Sequence, residues 1–230
     1  MDNIPLSKKL FAEAFGTFTL VFAGCGAIAI NQYTQGSITH AGIALTFGLV
    51  VLAMIYTVGD ISGAHLNPAV TLAFTAAKRI KFRIALPYMI TQIIAAIAAC
   101  GVLWVLFPDN NQHLGATLPL NDNWQQSFIL EVILTFILMY VILCVSTGAK
   151  EKGITAGIAI GSIVGLEAMF AGPICGASMN PARSLAPAIV SGNLQHLWLY
   201  LVGPIVGALL AIPLCALTQA GPCCVDADQC

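Results

Sequence analysis

Apolar residues in this chain run in long unbroken stretches, without the alternation of half-buried strands or the one-sided stripe of surface helices. Six stretches, at about 10–30, 41–59, 84–107, 126–147, 154–172 and 197–217, are long enough to cross a membrane, since a helix needs about 20 apolar residues for about 30 Å of hydrocarbon. The first follows Lys8 and Lys9 as a signal peptide would, but it outruns an apolar leader core and contains Glu13, so it reads as a retained helix. Segments 61–80 and 173–193 are also apolar, yet Gly and Pro break them and they are too short to span. The pattern predicts an all-α membrane protein with six transmembrane helices and two re-entrant segments.

Composition agrees. The chain is 58% apolar and 8% charged, against about 45–50% and about 25% for soluble domains, so its outer surface faces the lipid bilayer. A net charge of −1 leaves no basic footprint for nucleic acid. The nine Lys and Arg residues set orientation. Lys8 and Lys9 precede the first span, Lys78, Arg79, Lys81 and Arg83 lie between the second and third, and Lys150 and Lys152 lie between the fourth and fifth. With both termini cytoplasmic, all eight fall on the inner side, as the positive-inside rule requires. Arg183, in the second broken segment, is the exception.

The chain contains a repeat. E-x-x-x-T-F at Glu13 recurs at Glu131, Ala41-Gly42-Ile43-Ala44 at Ala156-Gly157-Ile158-Ala159, and Gly63-Ala64-His65-Leu66-Asn67-Pro68-Ala69 as Gly176-Ala177-Ser178-Met179-Asn180-Pro181-Ala182. The offsets drift only from 118 to 115 to 113 residues. Three spans per half is an odd number, so the second half is inverted, an arrangement that puts a functional site near the midplane in broken helices. One channel domain over 1–230 is expected, with repeats at about 8–107 and 126–217 and a cytoplasmic cysteine-containing tail at 218–230. Asn is a preferred N-cap and Pro a preferred first helical residue. Asn67-Pro68 and Asn180-Pro181 therefore predict half-helices, from Pro68 to about Lys78 and from Pro181 to about Val190, whose positive dipole ends meet at the bilayer centre. The preceding loops, with carbonyls of Gly63, Ala64 and His65 and of Gly176, Ala177 and Ser178, predict a ladder of acceptors, since non-helical backbone at that depth is tolerated where it lines a water-filled cavity. Asn67 and Asn180 add amide donors.

The stretches SGAHLNPAVTLA at 62–73 and GASMNPARSLAPA at 176–188 resemble the two signature loops of the aquaporin (major intrinsic protein) family. The spans, the inverted repeat and both glutamates extend the resemblance over nearly the whole chain, and the second stretch is most similar to the nodulin-26-like branch and its bacterial relatives. The resemblance implies a passive channel, not an enzyme, without a cofactor, with one pore per chain in a homotetramer of the plasma (cell inner) membrane. It implies that Arg183 closes a constriction with Phe47, Ala168 and Ala177, and that Glu13 and Glu131 support the re-entrant loops. Strict water channels of the family typically carry His where this chain has Ala168. A Phe/Ala/Ala/Arg filter therefore suggests passage of solutes larger than water: glycerol, urea, or metalloid acids such as arsenite. Glycerol specialists usually have Asp after the arginine, where this chain has Ser184, which argues against a dedicated glycerol facilitator. The alternatives are a strict water channel and, in a different class, an ion-coupled secondary transporter, for which Glu167 and Asp60 are the thin basis.

Glu167 departs from the family pattern. Support of the loop or partnership with Arg183 is the favoured reading, and a pore-facing carboxylate the other. Asp60 reads as a solvated carboxylate of the inner vestibule, with gating as the alternative. His65 orients the first loop, and His40, His113 and His196 read as loop or span-end residues. Cys25, Cys100, Cys144 and Cys215 read as small apolar packing, and Cys175 as a point of mercurial sensitivity. Cys223, Cys224 and Cys230 sit in the tail, where a soft-metal or arsenic(III) site is the speculative reading and a short disordered tail the favoured one. No other metal-ligand spacing and no nucleophile–base pair are present.

Overall fold

A computed structural model describes residues 4–108, 114–146 and 150–218, with side chains of 150–153 excepted. His113 and the tail cysteines Cys223, Cys224 and Cys230 lie outside the described residues. Eight α-helices follow in order: α1 Leu6–Tyr33, α2 Thr39–Ser62, α3 Pro68–Ala76, α4 Phe82–Leu106, α5 Trp124–Val145, α6 Lys150–Cys175, α7 Pro181–Ser191 and α8 Leu197–Thr218. All but α3 and α7 are long and apolar enough to cross a membrane. Their outer faces carry Phe11, Leu49, Ile94, Val105 and Phe170, each more than half exposed, as a lipid-facing surface requires.

The helices overrun the apolar stretches. α2 continues to Ser62 and α6 to Cys175, so the non-helical part of each broken segment is short. α6 passes through Pro173, which has no N–H for the carbonyl of Met169. The ring Nε2 of His40, at the start of α2, takes that carbonyl at 2.7 Å. α3 ends two residues before the predicted Lys78. Lys78 is left-handed at φ 60°, and the N–H of Arg79 reaches back to the Phe74 carbonyl at 2.8 Å, a Schellman-type close. α7 ends similarly at Gly192, φ 76°.

The packing repeats itself. α1 packs on α2 and α4, and α5 on α6 and α8. α2 meets α6 between the halves, while α7 packs on α4 as well as α8, and α3 on α8 as well as α4. Each half-helix is thus clasped by both repeats. At the α2–α6 crossing, Gly48 meets Gly161, 113 residues on. A Cβ on Gly48 would lie 2.7 Å from the Gly161 carbonyl, and one on Gly161 would lie 2.6 Å from the Gly48 carbonyl. Backbone faces backbone, so no side chain can yield. Gly48→Val is expected to cost about 3 kcal/mol, the upper end for overpacking. The detergent-solubilised protein should melt earlier and express poorly. A wild-type melting temperature would refute this account of the crossing.

Candidate functional site

The two re-entrant loops are near copies. Gly63, Ala64 and Leu66 have φ of 91°, 47° and 50°, and Gly176, Ala177 and Met179 have 81°, 41° and 53°. Four of these six are not glycine, and left-handed backbone costs an L residue roughly 1–2 kcal/mol. Buried acceptors hold this geometry in place. The Glu13 carboxylate accepts from the N–H groups of His65 (2.9 Å) and Leu66 (2.8 Å), from the Ser62 hydroxyl (2.7 Å) and from Gln92 Nε2 (2.8 Å). Glu131 accepts from the N–H groups of Ser178 (2.7 Å) and Met179 (2.8 Å). Both glutamates are fully buried. His65 bonds Thr71 Oγ1 at 3.1 Å and packs its ring between Phe74 and Tyr88.

The half-helices start where the loops end. Asn67 and Asn180 are extended N-caps, each followed by Pro. The Asn67 side-chain oxygen accepts from the Ala69 N–H at 2.9 Å, and that of Asn180 from the Ala182 N–H at 3.0 Å. Their amide nitrogens cross over. Asn67 Nδ2 donates to the Met179 carbonyl at 2.7 Å, and Asn180 Nδ2 donates to the Leu66 carbonyl at 2.9 Å. Each NH₂ has two hydrogens, so one donor per asparagine is left for the space between the loops.

That space is a cavity of about 1250 Å³, above the roughly 300–1,000 Å³ of ligand pockets. Its wall includes Asn67 and Asn180, the loop residues Gly63, Ala64, His65, Ala177 and Ser178, and the apolar Leu20, Val51, Leu138 and Val164. Gly176, expected in the ladder, does not line it. A Cβ there would lie 2.8 Å from the Thr117 side chain, so Gly176 packs behind the wall. One mouth is basic, with Lys9, Arg79, Lys81 and Arg83, and the exposed Asp60 stands among them. Toward the other end, Phe47, Ala168, Ala177 and Arg183 all line the cavity. The Arg183 guanidinium sits 5.0 Å from the centre of the Phe47 ring, and its Nη1 donates to the Gly115 carbonyl at 2.5 Å. Gly24 makes the seat for Phe47, whose ring occupies the place of any Cβ there.

Glu167 does not behave as expected. It is buried at 1% exposure, does not line the cavity, and neither carboxylate oxygen has a hydrogen-bond partner among the described residues. The favoured reading as a loop support or an Arg183 partner is thus corrected. The loop amides are taken by Glu131, and Arg183 donates through Nη1 to Gly115 and lies over Phe47, while its Nε has no partner among the described residues, Glu167 included. Cys175 is fully buried at the end of α6, its Sγ accepting from the Ala177 N–H at 3.4 Å.

Several side-chain roles that hold the site were not read from the sequence, although Ser178 and Ser184 were named there for other reasons. Thr117 Oγ1 meets Ser184 Oγ at 2.7 Å, and Ser184 Oγ meets Ser178 Oγ at 2.5 Å, tying the 114–119 loop to the second re-entrant loop. Ser184 is 1% exposed and off the cavity wall, so it acts through this chain of hydroxyls and not on a solute. Tyr88 donates to the Ser62 carbonyl at 3.0 Å, and Gln92 joins Glu13 to Thr71. A polar Gln92 within an apolar span was a readable signal. Gly115 and Thr117 carry none.

Comparison with known proteins agrees with this geometry. The family model described as Major intrinsic protein matches residues 1–214. The chain is 47% identical over 207 residues to Aquaporin NIP1-1 of Oryza sativa subsp. japonica, covering 90% of this chain and 72% of that protein. It is 45% identical over 207 residues to Nodulin-26 of Glycine max, covering 90% and 76%. Among solved structures, the aquaglyceroporin from Plasmodium falciparum superposes with a TM-score of 0.79 at 27% identity, covering 93% of this chain and 100% of that one. Six apolar spans, two half-helices capped by crossed asparagines and a continuous lined cavity meet in one chain that belongs to the major intrinsic protein family, as an aquaporin-type channel for water and small solutes.

Proposed function

We propose that this channel passes uncharged solutes larger than water, such as glycerol, urea or metalloid acids including arsenite, through a filter made of Phe47, Ala168, Ala177 and Arg183, and excludes protons and ions. The observation that carries the reading is the make-up of the cavity wall at that level: two methyl side chains beside one phenyl ring and one guanidinium. Alanines leave width and offer no hydrogen bond, so a solute finds its donors in Arg183 and its acceptors in loop carbonyls such as that of Ala177. Exclusion of cations follows from charge. Arg183 and two helix N-termini at Asn67 and Asn180 raise the local potential. In this reading Glu13 and Glu131 hold the loops, and Asp60 is a solvated carboxylate of the mouth.

The channel unit is the single chain, repeated as a homotetramer in the plasma (cell inner) membrane. Both termini are cytoplasmic, because the basic mouth faces the cytoplasm under the positive-inside rule. Stopped-flow light scattering on proteoliposomes tests the solute range. Glycerol, urea and arsenite should each cross well above empty-vesicle rates, alongside water, without saturation and without an ion gradient. Water flux alone would leave a strict water channel. Saturable, gradient-driven uptake would leave a carrier.

A further inference from the structure

We propose that His40 is a positioning residue for the filter: its ring spaces α6 from α2 beside Ala168 and so sets the gap between Ala168 and Phe47. These two helices carry two of the four filter residues, and one contact pattern joins them twice. At the end away from the basic mouth, His40 of α2 lies over Gly172 of α6 and bonds the Met169 carbonyl at 2.7 Å. At the basic mouth, Tyr56 of α2 lies over Gly157 of α6, and its hydroxyl donates to the Ile154 carbonyl at 2.8 Å. Each carbonyl belongs to the residue three before the glycine. The Gly48–Gly161 crossing stands between the two clamps.

The His40 clamp is the one that bears on the filter. Met169 directly follows Ala168, and its carbonyl has no partner within α6 because Pro173 lacks an N–H. Facing a carbonyl, His40 Nε2 is the donor. His40 precedes Phe47 by seven residues, about two turns, so both lie on one face of α2. Ala168 and Gly172 are four apart and share a face of α6. The three atoms nearest to the place of a Gly172 Cβ, at 2.9, 3.8 and 3.9 Å, all belong to the His40 ring. The imidazole is therefore the spacer between the helices at that level. Phe47 does not follow a shift of α6, because its ring is seated in the notch at Gly24 of α1. Without the imidazole, the last turns of α6 settle toward α2, and Ala168 approaches Phe47. The role rests on Phe47 and Ala168 being filter residues, as proposed above.

The full chain in proteoliposomes gives the test, by stopped-flow fluxes of water, glycerol and urea and by amide hydrogen exchange. His40→Ala should lower glycerol and urea flux roughly threefold or more relative to water, and speed exchange of the amides within 170–175. His40→Gln, whose amide nitrogen stands as many bonds from Cα as Nε2 does, should recover most of both. Tyr56→Phe loses a bond 14 residues, about 21 Å along the helix, from Ala168 and should shift the ratio less than His40→Ala. Should His40→Ala not fold, His40→Ser is held to the same outcomes. An unchanged or raised glycerol-to-water ratio would overturn the proposal, and so would an equal fall of all three fluxes, which is what fewer folded channels would give. A His40→Gln channel that behaves like His40→Ala would also overturn it. If wild-type vesicles pass water alone, the wide-filter reading fails. The spacer role then stands or falls with exchange at 170–175 and with water flux, which should drop in His40→Ala and return in His40→Gln.

Discussion

Glu13→Ala is expected to abolish the channel: no monodisperse protein on size exclusion, and vesicle permeability at the empty level. The carboxylate serves four donors at 2.7–2.9 Å, two of them backbone N–H groups of the loop before Asn67. Each buried donor left without an acceptor costs about 1–3 kcal/mol. Four together approach the roughly 5–15 kcal/mol that separates folded from unfolded proteins. The loss also frees a loop whose Ala64 and Leu66 sit at positive φ and relax once unheld. Glu13→Gln keeps one acceptor oxygen but turns an NH₂ toward the other donors, so it should fall between. Glu131→Ala removes the acceptor of two backbone N–H groups and should be milder than Glu13→Ala. Normal elution and wild-type water flux for Glu13→Ala would refute the role.

Ala168→His is expected to cut glycerol and urea flux at least tenfold, about 1.4 kcal/mol or more on the barrier, with water flux within a few-fold of wild type. Ala168 lines the cavity with Phe47, Ala177 and Arg183, and it lies late in α6, where the backbone is fixed by the Gly48–Gly161 crossing. An imidazole there takes up the width that the methyl group leaves. It adds one hydrogen-bonding group that serves a water molecule and obstructs a larger solute. Paired stopped-flow traces for glycerol, urea and water on the two proteins measure the ratio directly. An unchanged ratio would place the size limit elsewhere in the pore, and the filter reading would fall.

Most of the architecture was legible because it rests on long-range hydropathy and on two short motifs. Spans, half-helix starts and the inversion follow from apolar length, Asn-Pro and odd span count, and α3 and α7 begin at the predicted prolines. Helix ends were less legible. The stop at Ala76 depends on Lys78 adopting a left-handed turn, and the run of α6 past Pro173 depends on His40 from another helix meeting a freed carbonyl. The roles of Gly115, Thr117 and Ser184 depend on where the 114–119 loop folds back, and no periodicity encodes that. Glu167 was singled out as a departure, but its isolation from Arg183 depends on which face of α6 turns to the lumen.

The crossed asparagine bonds also bear on biosynthesis. The amide of Asn67 and the carbonyl of Leu66 find their partners only in the second half of the chain, at Met179 and Asn180. When the first three spans have left the translocon, α3 has its own cap but nothing opposite its tip. Unpaired backbone cannot rest in hydrocarbon, so the first re-entrant segment has to remain in a hydrated or shielded position until the later helices arrive. These two bonds need both halves of the chain, so the lumen between the asparagines is complete only once the second re-entrant segment is in place.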